Sequence, residues 1–346
     1  MKNELKSLSD PSKLHSPLNL DGQDDASLTD MLKSMLIIRK AEQQLAFGRK
    51  NGFIGGPVHL GVGQEAIAVG ISKYLQKTDR VFGAHRSHSH ILALNPDFHK
   101  LFAEILGKAT GFSRGMGGSM HLWDQPNGFY GSVPIVTGTV PLAVGAALAA
   151  KMKKTNDIGC AYIGDGAAEE GLFHESLNLA KVLSTPMLFV IENNLFASHM
   201  HISLRQPSDM VSRFAIANDI PYKLVDGNDV VAIANSSKEL INDIRCGEGP
   251  RLIELITYRW YGHVDWRDDV DVGVKRSTKD VENWKLRDPI SRLSNAMILK
   301  GIWTKDLEAD LNKKLDEEVN IAWEKALKDP YPDQSSTLKY VYHHEE

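Results

Sequence analysis

From Leu28 to Phe47 apolar residues recur at helical spacing ("LTDMLKSMLIIRKAEQQLAF"), and "EAIAVGISKYL", after "HLGVGQ", repeats the pattern. The period predicts helices and a mostly helical first half. Between Asp157 and Arg259 the pattern changes to short unbroken apolar runs separated by stretches of helical period: "IGCAYIG", "PMLFVIE", "PYKLVDG" and "RLIELITYRW". A strand covered on one face alternates between apolar and polar residues, and a strand covered on both does not. These runs therefore predict parallel strands joined by crossover helices. The expected fold class is α/β, a doubly wound and mostly parallel sheet with helical N- and C-terminal extensions. Beyond Trp284 the chain returns to amphipathic helix in "DLEADLNKKLDEEVNIAWEKAL". The expected organisation is a polar arm over 1–27, one domain over 28–330 and a polar tail over 331–346.

Composition narrows the function only by exclusion. Forty basic residues against 44 acidic ones leave a formal charge of −4, so no global field draws the chain to nucleic acid, and a bound anion must be held by a local constellation. Cys160 and Cys246 are the only cysteines, too few for a disulfide framework or a cysteine-based zinc pattern, and both are expected as core thiols in a reducing, cytoplasmic setting. The longest apolar run, "VPLAVGAALAA", is too short to span a bilayer, and the N-terminal stretch lacks the apolar segment of a signal peptide. No membrane association is expected.

Chemistry enters at "YIGDGAAEEG" and "VIENNLFA". Each looks like a buried strand running out into Gly, Asp and Asn. Open parallel sheets bind ligands beyond the carboxyl ends of their strands. Gly164-Asp165-Gly166 would put a carboxylate at a tight turn with the N–H groups of a following helix aimed at the same space. Asn194 follows 29 residues after Asp165, about one βαβ crossover, so the two side chains can meet. A carboxylate, an amide oxygen and a nearby carbonyl make a hard oxygen half-shell suited to magnesium that also holds phosphate.

The pairing of "GDG" with "NN" after about thirty residues resembles the thiamine diphosphate motif. The setting is similar to the alpha subunit of the decarboxylating component of 2-oxo acid dehydrogenases (the pyruvate, branched-chain 2-oxo acid and acetoin dehydrogenases). The resemblance runs from about Leu28 to Pro289, through "GGPVHLGVGQEA", "HRSHSH", "GKATGFSRGMGGSMH", "FYGSVPIVTGTVPLAVGAALA", "TYRWYGH" and "WKLRDPI". It implies the sheet type that binds thiamine diphosphate. By resemblance Asp165, Asn194 and the carbonyl of Phe196 are magnesium ligands, and Gly164, Gly166 and Ala167 line the diphosphate. Arg86 and Arg259 are its basic contacts, His85 stands where the family usually has a tyrosine, and Val136 props the cofactor in its bent form. Charge agrees with two arginines, because diphosphate, magnesium and Asp165 sum to roughly −2 in a partly buried site.

The resemblance places His59, His88 and His263 along the active-site channel, where a ring titrating near neutrality can serve a substrate carboxylate or an oxyanion. His263 is the leading catalytic candidate. His121 belongs to the same expected cluster, and His199 and His201 have no assignment. Zinc is the alternative for these histidines, but no cysteine or regular HxxxH pairing supports it. Two departures from the family stand out: His85 in place of tyrosine, and "VDWRDDVDVGVKRS" after His263, where Val264 replaces a phosphorylatable serine. There Asp265, Asp268, Asp269 and Asp271 would repel a small anion unless Arg267 and Arg276 offset them.

The implied activity is decarboxylation of a 2-oxo acid, or cleavage of an acyloin such as acetoin, with transfer to a lipoyl carrier on an acyltransferase partner. Two alternatives are a carboligase or transketolase-like enzyme that delivers the acyl unit to an aldehyde or sugar, and a silent scaffold subunit. In the family the glutamate that activates the cofactor's pyrimidine belongs to a separate beta chain. The chain has no second α/β domain to supply one, so an assembly of two alpha and two beta subunits is implied. Glu65 and Glu169, the acids to check as internal substitutes, are expected at helix N-termini.

Overall fold

A computed structural model describes residues 1–267, 276–336 and 338–339. In chain order the first elements are α1 (Asp25–Lys50), α2 (Glu65–Ser72), β1 (Arg80–Gly83), α3 (His88–Leu94), α4 (Phe98–Ile105), β2 (Phe129–Ser132) and α5 (Val140–Lys153). Then come β3 (Gly159–Gly164), α6 (Gly171–Val182), β4 (Met187–Asn193), the small strands β5 (Phe196–Ala197) and β6 (Met200–His201), and α7 (Arg213–Ala217). The last are β7 (Tyr222–Asp226), α8 (Val230–Arg245), β8 (Arg251–Ile256), α9 (Thr278–Lys285), α10 (Pro289–Leu299) and α11 (Lys305–Lys328). Six strands form one sheet in the order β2-β1-β3-β4-β8-β7, every neighbouring pair parallel. The antiparallel hairpin β5-β6 stands apart from it.

The two-sided burial expected of the central strands is seen residue by residue. Cys160, Tyr162, Leu188 and Val190 pack on one side with the apolar faces of α1, α2 and α8. Ala161, Ile163, Phe189 and Ile191 pack on the other with those of α5 and α6. Close approach of α5 needs Gly159, since a Cβ there would lie 2.6 Å from the Ala143 carbonyl oxygen and 3.0 Å from the Ala147 methyl. The first half holds two strands that the periodicity does not predict. β1 and β2 have four residues each, too few to show a period, and both include glycine.

Caps set the helix ends. The Asp24 carboxylate accepts from the Ser27 N–H at the start of α1, and Asp229 and Thr304 do the same for α8 and α11. The segment before α1 is not wholly polar in its packing: Leu5, Leu18 and Leu20 are buried. The Asp209 carboxylate accepts from the Glu4 and Leu5 N–H groups, and Arg287 donates to the Leu8 carbonyl. Cys160 is buried as expected, but Cys246, at the carboxyl end of α8, is exposed and is not a core thiol. Among the described residues no helix is long and apolar enough to cross a membrane.

Candidate active site

Gly164 pairs with Glu192 across β3 and β4, and Asn193 pairs with Ile256 across β4 and β8. Three strands thus end side by side, and the chain leaves them as Asp165, Asn194 and Thr257-Tyr258-Arg259. A cavity of about 440 Å³ lies at these ends, lined by Gly164, Asp165, Gly166, Ala167, Asn194 and Phe196, and on other sides by His59, His85, Arg86, Val136 and His263. Gly166 is required by contact, because a Cβ there would sit 2.4 Å from the Ala197 methyl. Asn194 Oδ1 accepts from the Phe196 N–H at 3.2 Å, which fixes the amide where the hairpin begins. The turn after Gly166 is a 3-10 turn, Ala167–Glu169, and α6 starts only at Gly171, so no helix opens directly on "GDG".

Asp165 is 1% exposed. Burial raises its pKa, and the charge of Arg205 opposes that shift. The Arg205 guanidinium binds both Asp165 and Glu169, and its Nε donates to the Met200 carbonyl. A cation therefore already stands beside the carboxylate. A buried carboxylate that takes a cation, with an amide oxygen lining the same cavity, is a donor set that fits magnesium. Sequence reasoning did not find Arg205, which carries no motif. It also passed over Glu192, whose carboxylate lines the cavity and accepts from His90 Nε2 at 3.2 Å.

The two arginines brace the walls. Arg86 Nη1 and Nη2 donate to the carbonyls of Leu60 and His263 at 2.6 and 3.2 Å. Arg259, 1% exposed, donates to Tyr261 and Ser198 at 3.0 and 2.6 Å and is not among the lining residues. Val136 is half exposed at the cavity wall, and Thr139 Oγ1 ties its loop to the Gly83 carbonyl at the end of β1.

His59, His85 and His263 come together, with ring centroids 4.7, 5.0 and 5.3 Å apart. His59 does not titrate near neutrality: burial, then Arg86, push it down to about 2, and the same causes push His85 down to about 3. Both rings are neutral at any working pH. His88 is fully buried and is not among the lining residues; Nδ1 lies 3.2 Å from Glu42 and Nε2 2.9 Å from Ser119 Oγ. Glu42 also accepts from the Gly61 N–H, so His88 buttresses the segment that carries His59. His121 is exposed and stands outside the group.

Glu65 opens α2 as expected, fully buried and paired with Arg39. Glu169 instead closes the 3-10 turn and is held by Arg205. Asp265 pairs with Arg267 at 3.1 Å, whereas Arg276 is buried against the carbonyls of Arg259 and Trp260. Asp268, Asp269 and Asp271 lie outside the described residues.

The family model described as "Dehydrogenase E1 component" matches residues 33–335. The alpha subunit of acetoin:2,6-dichlorophenolindophenol oxidoreductase from Bacillus subtilis (strain 168) is 37% identical over 316 residues, covering 90% of this chain and 92% of that protein. The pyruvate dehydrogenase E1 component subunit alpha of Rhizobium meliloti (strain 1021) is 34% identical over 304 residues, covering 88% and 86%. The acetoin oxidoreductase alpha subunit of Cupriavidus necator is 33% identical over 320 residues, covering 92% and 95%. The chain belongs to the dehydrogenase E1 component family, among its alpha subunits.

Proposed function

We propose that this chain is the alpha subunit of a thiamine-diphosphate- and magnesium-dependent oxidoreductase. It decarboxylates a 2-oxo acid, or cleaves an acyloin such as acetoin, and passes the acyl group to a lipoyl carrier. The observation that carries the reading is the convergence of Asp165, Asn194 and Phe196 on one cavity at adjacent strand ends. Asp165, the Asn194 amide oxygen and the Phe196 carbonyl would hold the magnesium. Gly164, Gly166 and Ala167 would take the diphosphate with His85 and Arg86, Val136 would support the cofactor's bent form, and Arg259 braces the walls. When bound, the cofactor supplies a nucleophilic carbon and an electron sink for breaking the bond next to a carbonyl. His263 holds or donates a proton at the substrate oxygen. His59, neutral, donates a hydrogen bond, and His88 positions it.

Three of the cavity's four acids are engaged: Asp165 and Glu169 by Arg205, and Glu192 by His90. Glu170, also on the lining, precedes α6. As the resemblance to the family implies, the glutamate needed at the pyrimidine end comes from a beta chain. Ile135, Leu142, Leu172, Leu179 and Val182, exposed on the loop before α5 and on α5 and α6, offer the apolar surface it covers. The free thiols of Cys160 and Cys246 suit the reducing cytoplasm.

The test is calorimetric titration of thiamine diphosphate, with and without magnesium, into the enzyme assembled with its beta chain. Asp165→Ala should abolish the magnesium-dependent heat. His263→Ala should leave that heat nearly intact while turnover falls by about 10²–10⁴-fold. Unchanged cofactor affinity in Asp165→Ala would overturn the metal assignment.

A further inference from the structure

The sequence gives zinc no support, since residues 59, 85 and 263 share no spacing, yet the fold gathers their rings. We propose that the imidazoles of His59, His85 and His263 form a site for one divalent ion of borderline softness, zinc above all, with its fourth position open to the cavity. Each ring offers one ligand nitrogen, and the three lie within 4.8 Å of one another. Zinc bound to nitrogen at about 2.0–2.1 Å in a tetrahedron needs them about 3.4 Å apart. Ring rotation about χ2, a broad torsion for histidine, can take up this difference of up to about 1.4 Å.

His59 Nδ1 is buried with no hydrogen-bond partner in the fold, a cost that a metal bond would remove. The frame is already fixed: Arg86 clamps the carbonyls of Leu60 and His263, next to or on two of the three ligand residues. Among the described residues no carboxylate belongs to the cluster. Imidazole suits zinc, copper and nickel, whereas magnesium and calcium take oxygen, so the site discriminates against the ion expected at Asp165. Arg86 and Arg259 work against a bare cation, since both add positive charge at His59 and His85. The same two charges favour an anion in the open fourth position, so the site takes metal and a small anion such as a carboxylate together.

Because the three rings line the cavity, an ion there occupies the space of the substrate and would inhibit the reaction. That consequence rests on the proposed function; the binding does not. The full chain, free of affinity tags and with His343→Ala and His344→Ala to remove the adjacent pair in its tail, is titrated with zinc alone and with cobalt(II) alone. No thiamine diphosphate is present, so a negative result leaves the cofactor reading untouched. One ion per chain is expected, with the intense visible bands of tetrahedral cobalt. The stoichiometric step should disappear in His85→Ala, in His85→Tyr and in His263→Ala, each checked for folding by circular dichroism, and should survive in His15→Ala, whose ring is exposed. Absence of stoichiometric binding, binding that persists in both His85 variants, or the weak spectrum of octahedral cobalt would overturn the proposal.

Discussion

Arg205 lies 40 residues beyond Asp165 in the chain, yet its guanidinium binds that carboxylate and Glu169. On the proposed function, magnesium at Asp165 would compete with this counter-ion for the carboxylate. Arg205→Gln should therefore bind magnesium several-fold more tightly in the absence of cofactor and melt at a lower temperature, because a buried pair has been broken. Calorimetry and thermal melting check the two halves, and magnesium affinity equal to or below wild type would show that Arg205 does not compete. His59 and His85 carry a pH prediction. Below the ordinary imidazole value of 6.5 the unfolded chain protonates both rings, while the folded chain keeps them neutral down to about 2 and about 3. The unfolded state then binds more protons, so stability falls as the pH falls below 6.5. In the His59→Gln/His85→Gln variant the acid side of the Tm profile should be flatter, and an unchanged slope would locate the acid sensitivity elsewhere.

At the scale of elements, Gly159 marks where α5 rests on β3. Gly159→Val would drive side-chain atoms into the Ala143 carbonyl and the Ala147 methyl and should cost about 1–3 kcal/mol, read by urea unfolding, through an overpacked contact. A loss below a few tenths of that range would mean that α5 shifts freely. The same elements show what the sequence could reveal. β3, β4 and β8 were legible because strands buried on both faces leave unbroken apolar runs, whereas β7, "YKLVD" at the sheet edge, is only partly buried and lacks the two-sided burial expected of it. β1 and β2 were hidden by brevity: "RVFG" and "FYGS" carry too few residues to register a period. The metal-type donors were legible because Asp165 and Asn194 are one crossover apart and β3 lies beside β4. Arg205 and the three-ring group were not, since loops of unrelated sequence position bring them in. The family resemblance placed His88 in the channel, but the fold shows it turned inward onto Glu42 and Ser119.

For the whole molecule, the exposed apolar side chains of α5 and α6 are the feature that a lone chain cannot satisfy. Leu142, Leu179 and Val182 face solvent with no covering element among the described residues. Expressed alone, the chain should self-associate and lack turnover; with its beta chain, light scattering should report a particle of two alpha and two beta subunits. Leu142→Glu with Val182→Glu should weaken that particle without changing the circular dichroism of the alpha chain, and assembly indifferent to both would move the interface elsewhere. The guanidinium beside Asp165 has one more consequence, for the life of the protein between synthesis and use. On the proposed function, a fold whose buried Asp165 is already paired with Arg205 would not wait on its vitamin to be completed. When thiamine is scarce the cell should hold an intact, protease-resistant reserve of empty subunits, and a returning supply should restore activity by loading existing molecules before any new chain is translated.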